Sequence, residues 1–332
     1  MTNLKDIAFR MTGSGKGILA ADESTPTCTN RFNSIGVEST PENRNEYRDL
    51  LITANGMEKY IGGVIMFDET IRQSTTCENK IPFVEYLTKK GVVPGIKVDK
   101  GAKNLAGFEN EKVTEGLDGL RERLNEYYEL GARFAKWRAV IRIGDNTPSL
   151  GCYEANAHAL ARYAALCQES GLVPIVEPEV LMNGTHTIDK CYDVTDKALK
   201  ITFEQLIKQN VSLEGMVLKP NMVISALDCA EKASVEKVAD MTLKCLKANV
   251  PSEVTGIAFL SGGQSSDDAT KHLNAMNAQD DNLPWNLTFS YGRALQHDAL
   301  NSWGGKNRQE AQKRFLQRAK NNSLACSGVF SN

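Results

Sequence analysis

Metal-binding and disulfide patterns are missing from this sequence. Its 332 residues include eight cysteines without a CxxC pair and only four histidines, which lie far apart. Scattered cysteines match neither a zinc cluster nor a dense disulfide framework, so free thiols in a reducing compartment are the simplest interpretation. We therefore expect no metal site and no cofactor.

Long apolar runs and an excess of charge are missing as well. No stretch approaches the roughly 18 apolar residues of a membrane span, and segment 1–16 lacks the apolar core of a signal peptide. The 39 basic and 41 acidic residues leave a net charge of −2, which provides no general attraction for nucleic acid or a membrane. We expect a cytoplasmic protein with a small-molecule substrate, in which any anion site is local.

Short apolar segments recur along the chain, and each gap is long enough for one helical crossover. Between most of them the apolar residues have helical spacing, as at Leu117, Leu120 and Leu124. This alternation predicts an α/β fold, a single-domain (β/α)8 TIM barrel over residues 1–332, with a helical segment at about 305–325 and no long C-terminal tail. An open doubly wound sheet is the alternative, disfavoured because no GxGxxG follows the first strand. The predicted strands are 17–21, 62–67, 92–98, 134–140, 172–176, 213–218, 256–260 and 287–289.

Charged or hydroxyl side chains follow nearly every predicted strand. The carboxyl ends of barrel strands converge on one face, and residues two apart share a side, as do Glu177 and Glu179. One strand-end charge is usually just solvated, but seven or eight strands together predict a polar pocket. These residues are Asp22, Glu23, Ser24, Asp68, Glu69, Lys97, Asp99, Lys100, Lys136, Arg138, Glu177, Glu179, Lys219, Ser261, Ser290 and Arg293.

Lys219 is the most informative of these residues, because it ends an apolar run and Pro220 follows it directly. A lysine in this place either extends to solvent or acts as an amine nucleophile. With cations and carboxylates nearby, the pocket suits Schiff-base chemistry on a carbonyl compound, and a retro-aldol cleavage also needs a general acid/base. Glu177, Glu179 and Asp22 are the candidates, and the residues alone leave their roles open.

Two glycine-rich loops indicate a phosphate group. Ser261 and Gly262 follow the seventh predicted strand, and Ser290, Gly292 and Arg293 follow the eighth. Barrels often bind phosphate at these loops through backbone amides, and an arginine can add a bidentate contact. A single glycine pair indicates only a turn, but two such loops on adjacent strands predict a phosphorylated substrate.

Six sequence blocks then occur together in a specific order. They are GILAADES at 17–24, FAKWR at 134–138, PIVEPE at 174–179, LKPN at 218–221, LSGGQ at 260–264 and FSYGRA at 289–294. On these blocks the chain, from about residue 16 to 325, closely resembles class I fructose-1,6-bisphosphate aldolase. The resemblance implies a metal-independent barrel lyase of glycolysis and gluconeogenesis, which cleaves fructose 1,6-bisphosphate to dihydroxyacetone phosphate and glyceraldehyde 3-phosphate. It also favours a homotetramer.

The resemblance further implies roles for individual residues. Lys219 matches the Schiff-base lysine and Glu177 the principal acid/base, while Asp22 would handle the C4 hydroxyl. Glu179, Lys136 and Arg138 would shape and charge the site. One phosphate would lie among Ser24, Arg31, Arg44 and Lys97, and the other among Ser261, Gly262, Ser290, Gly292 and Arg293.

The sequence departs from the family in two places. Many members continue into a mobile tail whose last tyrosine is implicated in enamine protonation, whereas this sequence stops at Asn332. Either the protein is shortened or another group would move that proton. Pro26 and Thr27 stand where vertebrate enzymes have glycine and serine near a phosphate, which keeps a hydroxyl but stiffens the loop. The alternatives are an inactive barrel that acts as a scaffold, or an aldolase that prefers fructose 1-phosphate or sedoheptulose 1,7-bisphosphate.

Overall fold

Eight parallel strands close into a barrel in the computed structural model, which describes residues 3–280 and 282–331. They are β1 Gly17–Ala21, β2 Ile61–Met66, β3 Val93–Lys97, β4 Phe134–Ile141, β5 Val173–Val180, β6 Val217–Leu218, β7 Gly256–Phe259 and β8 Asn286–Tyr291. Each strand pairs with its neighbours in chain order, and β1 closes the ring against β8, with Ile18 opposite Ser290. Because a doubly wound sheet would leave two open edges, the predicted (β/α)8 barrel is confirmed.

The part of the chain that the structure describes contains twelve α-helices, most of them between successive strands. Four long helices are capped by Ser149, Thr187, Ser234 and Ser265, whose hydroxyl oxygens accept a hydrogen bond from the backbone N–H three residues on. None of the described helices has the length and apolar content to cross a bilayer. The helices are α1 Leu4–Thr12, α2 Thr25–Asn33, α3 Pro41–Ile52, α4 Asp68–Ile71, α5 Phe83–Lys89, α6 Leu120–Glu129, α7 Leu150–Glu169, α8 Ile188–Lys208, α9 Val235–Asn249, α10 Ser266–Gln279, α11 Arg293–Trp303 and α12 Arg308–Ala325.

The helix α1, which is not among the predicted elements, closes the amino-terminal end of the barrel. Its backbone lies against Gly62 at the start of β2, where an added Cβ would meet the carbonyl of Met11 at 2.8 Å. The side chain of Met11 packs with Ile18, Ile65 and Phe134 in the barrel interior. This end of the interior is therefore apolar, which leaves the carboxyl end for polar side chains.

The sixth predicted strand, 213–218, is wrong over its first half. The structure has a 3-10 turn at Leu213–Gly215, and only β6 is extended. Gln168 of α7 holds both ends of this turn, because its side chain bonds to the backbone of Ser212 before the turn and to the carbonyl of Gly215 at 3.3 Å. Its amide nitrogen donates to the carbonyl of Ser212 at 2.8 Å, and its oxygen accepts the N–H of the same residue at 2.9 Å.

A short antiparallel hairpin after β3 is also not among the predicted elements. It pairs Ala102–Asn104 with Lys112–Thr114. The hydroxyl of Thr114 donates to the carbonyl of Arg138 at 2.7 Å. The hairpin therefore braces the carboxyl end of β4, where two of the predicted site residues lie.

Gly95 in β3 tests how tightly the barrel interior is filled. A Cβ at this position would overlap three ring atoms of Phe134, which is fully buried. We therefore expect Gly95→Ala to lower the free energy of unfolding by about 1–3 kcal/mol, the usual range for overpacking. Chemical denaturation followed by tryptophan fluorescence measures this change.

Gly151→Ala in α7 is the matched control. A Cβ there would also press on a phenylalanine ring, at 2.6 Å from Phe108, but that side chain is 40% exposed and can turn away. The control should unfold at or above the wild-type denaturant concentration, because alanine also favours helix over glycine. Equal losses for both variants would contradict the tight packing inferred at Gly95.

Candidate active site

A polar cavity of about 680 Å³ opens at the carboxyl ends of the barrel strands. Six cationic and five acidic residues line it, so the formal net charge of the lining is +1. Because the positive and negative charges nearly cancel, a charged ligand would be held by contacts with individual side chains and not by the overall charge of the cavity. The ionisable lining residues are Asp22, Glu23, Arg31, Lys97, Asp99, Lys136, Arg138, Glu177, Glu179, Lys219 and Arg293.

Four of these side chains, Lys219, Glu177, Lys136 and Asp22, form a buried row of alternating charge that we call the ion chain. Lys219 Nζ lies 3.2 Å from Glu177 Oε1, and Glu177 Oε2 lies 3.4 Å from Lys136 Nζ. Lys136 Nζ lies 2.8 Å from Asp22 Oδ2. No side chain in the row is more than 13% exposed. The structure thus brings the predicted nucleophile into contact with one predicted acid/base.

Strand pairing explains why these side chains meet. Lys136 lies in β4 and Glu177 in the adjacent β5, while Lys219 directly follows β6, the next strand around the ring. The N–H of Lys219 donates to the carbonyl of Val176 at 2.8 Å, which continues the ladder one residue past β6. Because Glu177 follows Val176, the two side chains leave their strands at the same level.

Asn221 holds the backbone on the other side of Lys219. Its Oδ1 accepts the N–H of Val180 at 2.9 Å, and its Nδ2 donates to Thr195 Oγ1 at 3.1 Å. Asn221 is itself buried. Lys219 therefore sits on a short segment that is fixed to β5 and α8, although no regular strand continues there.

Asp22 and Lys136 both stay ionised near neutral pH. Burial raises the pKa of Asp22, but Lys136 and Lys219 outweigh it and lower that pKa from 3.8 to about 2. Burial lowers the pKa of Lys136, but Asp22 and Glu177 outweigh it and raise that pKa above its ordinary value. Glu177 Oε2 is buried and makes no hydrogen bond among the described residues, although it pairs with Lys136 in the ion chain.

Glu179 is engaged outside the ion chain. Its carboxylate pairs with the guanidinium of Arg138. Burial lowers the pKa of Arg138, but the adjacent Glu179 raises it further, so the arginine stays charged. Glu177 lies between two amines, Glu179 contacts an arginine and Asp22 contacts Lys136, so the three candidate carboxylates have distinct surroundings.

The loops after β7 and β8 form one corner of the cavity, and we call it the phosphate corner: Ser261, Gly262, Gly263, Ser290, Gly292 and Arg293. Ser290 Oγ is buried and has no hydrogen-bond partner in the part of the chain that the structure describes. Gly292 is the N-cap of α11, whose free N–H groups favour an anion. Arg293 Nη2 donates to the carbonyl of Gly262 at 2.6 Å, which ties the two loops together. Gly262 has a φ of +56°, in the left-handed region that favours glycine.

Ser24, Arg31 and Lys97 line the cavity on the side of β1 and β3. Ser24 Oγ lies 3.1 Å from Thr27 Oγ1, so Thr27 supplies a second hydroxyl at this side. Arg31 Nη1 contacts Glu23 Oε1 at 2.5 Å, and Lys97 pairs loosely, at 3.5 Å, with a neighbouring carboxylate. Two hydroxyls and two cations are thus available there for a second anion.

Arg44 does not reach the cavity, contrary to its predicted place beside a phosphate. Its Nε lies 3.0 Å from Glu69 Oε2, and Glu69 also pairs with Arg48. Arg48 Nη2 in turn donates to the carbonyl of Glu23 at 3.0 Å. Glu69 therefore occupies the guanidinium of Arg44, and Arg48 is the arginine that contacts the β1–α2 loop. Asp68, Glu69 and Lys100, which follow predicted strands, also lie outside the lining.

Met182 and Leu227 add an apolar wall to the cavity that is not among the predicted features. The sulfur of Met182 accepts the N–H of Gly263, and a Cβ on Gly263 would lie 3.1 Å from Leu227. Met182 follows β5 closely, so its position at a strand end could have predicted that it lines the cavity. Leu227 belongs to the irregular segment after Lys219, where no periodicity indicates which side chains face inward.

Comparisons with known proteins agree on one family. The family described as "Glycolytic: Fructose-bisphosphate aldolase class-I" matches residues 3–332. A Xanthomonas axonopodis pv. citri protein named "Probable fructose-bisphosphate aldolase class 1" is 57% identical over 330 residues, 98% of each chain. Cytosolic fructose-bisphosphate aldolase 4 of Arabidopsis thaliana is 53% identical over 318 residues, 95% of this chain and 80% of that one. The Plasmodium falciparum aldolase, solved with TRAP and a small-molecule inhibitor, has a TM-score of 0.97 at 47% identity, covering 99% of this chain and 95% of that chain.

Asp22 should make the stability of the protein depend on pH. Its folded pKa is lowered, so its contribution of about 2 kcal/mol is complete above 3.8, the ordinary value, and is lost as the pH falls towards about 2. We expect the advantage of the wild type over Asp22→Asn in free energy of unfolding to shrink by about 1 kcal/mol from pH 5 to pH 3. Urea unfolding at each pH measures it.

Asp118→Asn is the control for this measurement. Asp118 is exposed and has no ion pair among the described residues. Its substitution should therefore change the free energy of unfolding little at either pH. If the difference in free energy of unfolding between wild type and variant shrank equally for both substitutions from pH 5 to pH 3, the ion chain would not hold Asp22 ionised.

Proposed function

Because the chain belongs to the class-I fructose-bisphosphate aldolase family, we propose that Lys219 forms the Schiff base of its reaction. The enzyme is a lyase that cleaves fructose 1,6-bisphosphate reversibly into dihydroxyacetone phosphate and glyceraldehyde 3-phosphate. One observation carries the residue assignment: Lys219 Nζ lies 3.2 Å from Glu177 Oε1 inside a buried polar cavity.

The first step joins the amine to the ketone at C2. The nitrogen of Lys219 bonds to C2, the oxygen gains protons, and this oxygen then leaves as water to give the iminium. Glu177 is within reach to accept the proton of the amine and return it to the departing oxygen. Lys136, 3.4 Å from the other carboxylate oxygen, stabilises the carboxylate in its ionised form before the first transfer and after the second.

The second step breaks the bond between C3 and C4. The iminium withdraws the electron pair of this bond while the C4 hydroxyl loses its proton, leaving an enamine on Lys219 and the aldehyde product. A carboxylate whose pKa is about 2 is a poor proton acceptor near neutral pH, so Asp22 orients the hydroxyl and holds Lys136. Glu177 then receives the proton.

The position of Lys219 also supports a placement of the two phosphates. With C2 bound at the end of β6, the C1-phosphate is a few bonds away and reaches β7, the next strand, and β8 after it. The phosphate corner supplies the free hydroxyl of Ser290, the N–H groups at the start of α11 and the charge of Arg293. The C6-phosphate lies four carbons from C2, on the side of Ser24, Arg31 and Lys97.

Fructose 1-phosphate and sedoheptulose 1,7-bisphosphate present the same ketone and C1-phosphate to this site. The kcat/KM values for the three substrates rank them directly. A scaffold without activity is not favoured. The ion chain is complete, and burying four charges has a desolvation cost that a scaffold has no need to bear.

A cytoplasmic location is supported by two relatives. Fructose-bisphosphate aldolases 4 and 6 of Arabidopsis thaliana, both named cytosolic, are 53% and 51% identical to this chain. A homotetramer remains a prediction from the family resemblance. Size-exclusion chromatography with light scattering tests it.

Lys219→Met should abolish covalent capture of the ketone product. Incubation with dihydroxyacetone phosphate and borohydride should add the mass of one reduced adduct to the wild type, with or without EDTA, because the iminium is reduced at the lysine. Lys219→Met should gain no mass. Intact-protein mass spectrometry measures both.

Lys100→Met is the matched control, since Lys100 also follows a strand but lies outside the cavity lining. It should be captured like the wild type. An adduct on Lys219→Met, or the absence of one on the wild type, would overturn the assignment of Lys219.

Glu177→Gln should separate the proton carrier from the orienting carboxylate. It keeps the size of the side chain but cannot accept a proton, so we expect kcat to fall by about 10²- to 10⁴-fold with little change in KM. Asp22→Asn should have a smaller effect on kcat, because it removes an orienting contact. Steady-state kinetics of fructose 1,6-bisphosphate cleavage measure both, and a larger loss for Asp22→Asn would reverse the two assignments.

A further inference from the structure

We propose that Gln296 is a positioning residue that holds the guanidinium of Arg31 open towards the substrate. This inference rests on the proposed function, in which Arg31 contacts the C6-phosphate. Gln296 does not line the cavity, and it lies in α11, one turn after the helix begins at Gly292. Its side chain is buried, at 1% exposure.

Both ends of the Gln296 amide are used. Its Nε2 donates to the carbonyl of Ala20 at 2.6 Å and to Glu23 Oε1 at 2.9 Å. Its Oε1 accepts from the hydroxyl of Tyr47 at 3.1 Å and from Arg31 Nη1 at 3.4 Å. A carbonyl can only accept and a guanidinium can only donate, so the orientation of the amide is fixed by its partners.

Tyr47 is the donor that completes this arrangement. Burial raises the pKa of Tyr47 well above its ordinary value, so its hydroxyl stays protonated. The hydroxyl comes from α3, and its ring is fully enclosed by Phe32 and Trp303 at centroid distances of 5.5 and 5.3 Å. Gln296 is therefore held from a rigid aromatic cluster on one side and from the end of β1 on the other.

Glu23 connects Gln296 to Arg31. Glu23 Oε1 accepts from Gln296 Nε2 and also from Arg31 Nη1, at 2.5 Å. Arg31 donates both of its side-chain hydrogen bonds through Nη1, so among the described residues its Nε and Nη2 have no acceptor. The side chain of Arg31 is 26% exposed and that of Glu23 only 7%. The anchored nitrogen thus faces the protein, and the unused donors remain for an anion in the cavity.

Without the amide, Arg31 and Glu23 would be free to rearrange. A guanidinium and a carboxylate prefer two parallel hydrogen bonds, which would use Nη2 as well as Nη1. The single shared oxygen seen here leaves that pairing incomplete, because Gln296 contacts both partners. Loss of the amide should therefore turn Arg31 away from the phosphate while leaving the ion chain in place.

The test compares Gln296→Met, which keeps the approximate size but removes all four hydrogen bonds, with Tyr47→Phe, which removes only one hydroxyl. We expect Gln296→Met to raise KM for fructose 1,6-bisphosphate roughly tenfold, as for one lost charge-assisted contact. Tyr47→Phe should change it in the same direction and less. For both variants kcat, the KM for fructose 1-phosphate and borohydride capture of dihydroxyacetone phosphate should stay within about twofold of wild type, since Arg31 contributes to none of them.

Arg31→Met and Gln168→Met complete the design. Arg31→Met should raise KM for the bisphosphate selectively, and adding Gln296→Met to it should have no further effect, because both act through one guanidinium. Gln168 also bonds to backbone groups, but at the opposite end of the barrel, so its substitution should not change the ratio of the two KM values.

The outcomes separate the two claims. An Arg31→Met variant with an unchanged bisphosphate KM would overturn the proposed phosphate role of Arg31. A selective loss in Arg31→Met with no change in either Gln296→Met or Tyr47→Phe would overturn only the positioning role. Equal losses with both substrates, or weaker capture of dihydroxyacetone phosphate, would show that Gln296 supports the barrel as a whole and would also overturn it.

Discussion

A buried row of four charges is the constraint on which the rest of this structure depends. Lys219, Glu177, Lys136 and Asp22 alternate in sign, at separations of 2.8 to 3.4 Å. Removing one partner of a buried pair typically costs about 3–5 kcal/mol, because the other charge remains without compensation. Each of the four is therefore tolerated because of its neighbours. They come from β4, β5 and the residues just after β1 and β6, and a closed ring brings these four strands to one place.

The barrel accommodates this row because each strand changes character along its length. In β5, alternate residues share one side: Val173 and Ile175 pack in the apolar interior, and Glu177 and Glu179 line the cavity. The helix α1 covers the apolar end, so the charged end is the one that opens to solvent. Hydrophobic burial at one end thus offsets the desolvation of charge at the other.

The sequence predicts what depends on local pattern. Eight apolar segments and the charges after them are local signals, so the barrel and the residues of the ion chain follow from them. The position of Arg44 does not follow from local signals, because Arg44 lies in a helix and its side-chain direction depends on Glu69 in another element. The short β6 depends in the same way on the side chain of Gln168. Gln296 carries no local signal at all, since its partners come from β1, α2 and α3 and meet only in the folded chain.

The helix α11 links the two ends of the cavity. It begins at Gly292 in the phosphate corner and, four residues later, Gln296 contacts Glu23 and Arg31 on the other side. A helix rises about 1.5 Å per residue and is stiff, so these two positions are about 6 Å apart along its axis and move together. Because folding already fixes the relative position of the two sites, no further entropy is lost in aligning them. A ligand with an anionic group at each end can therefore bind to both at once. A rigid helix beneath both proposed anion sites therefore favours a bisphosphate of fixed length over two separate anions.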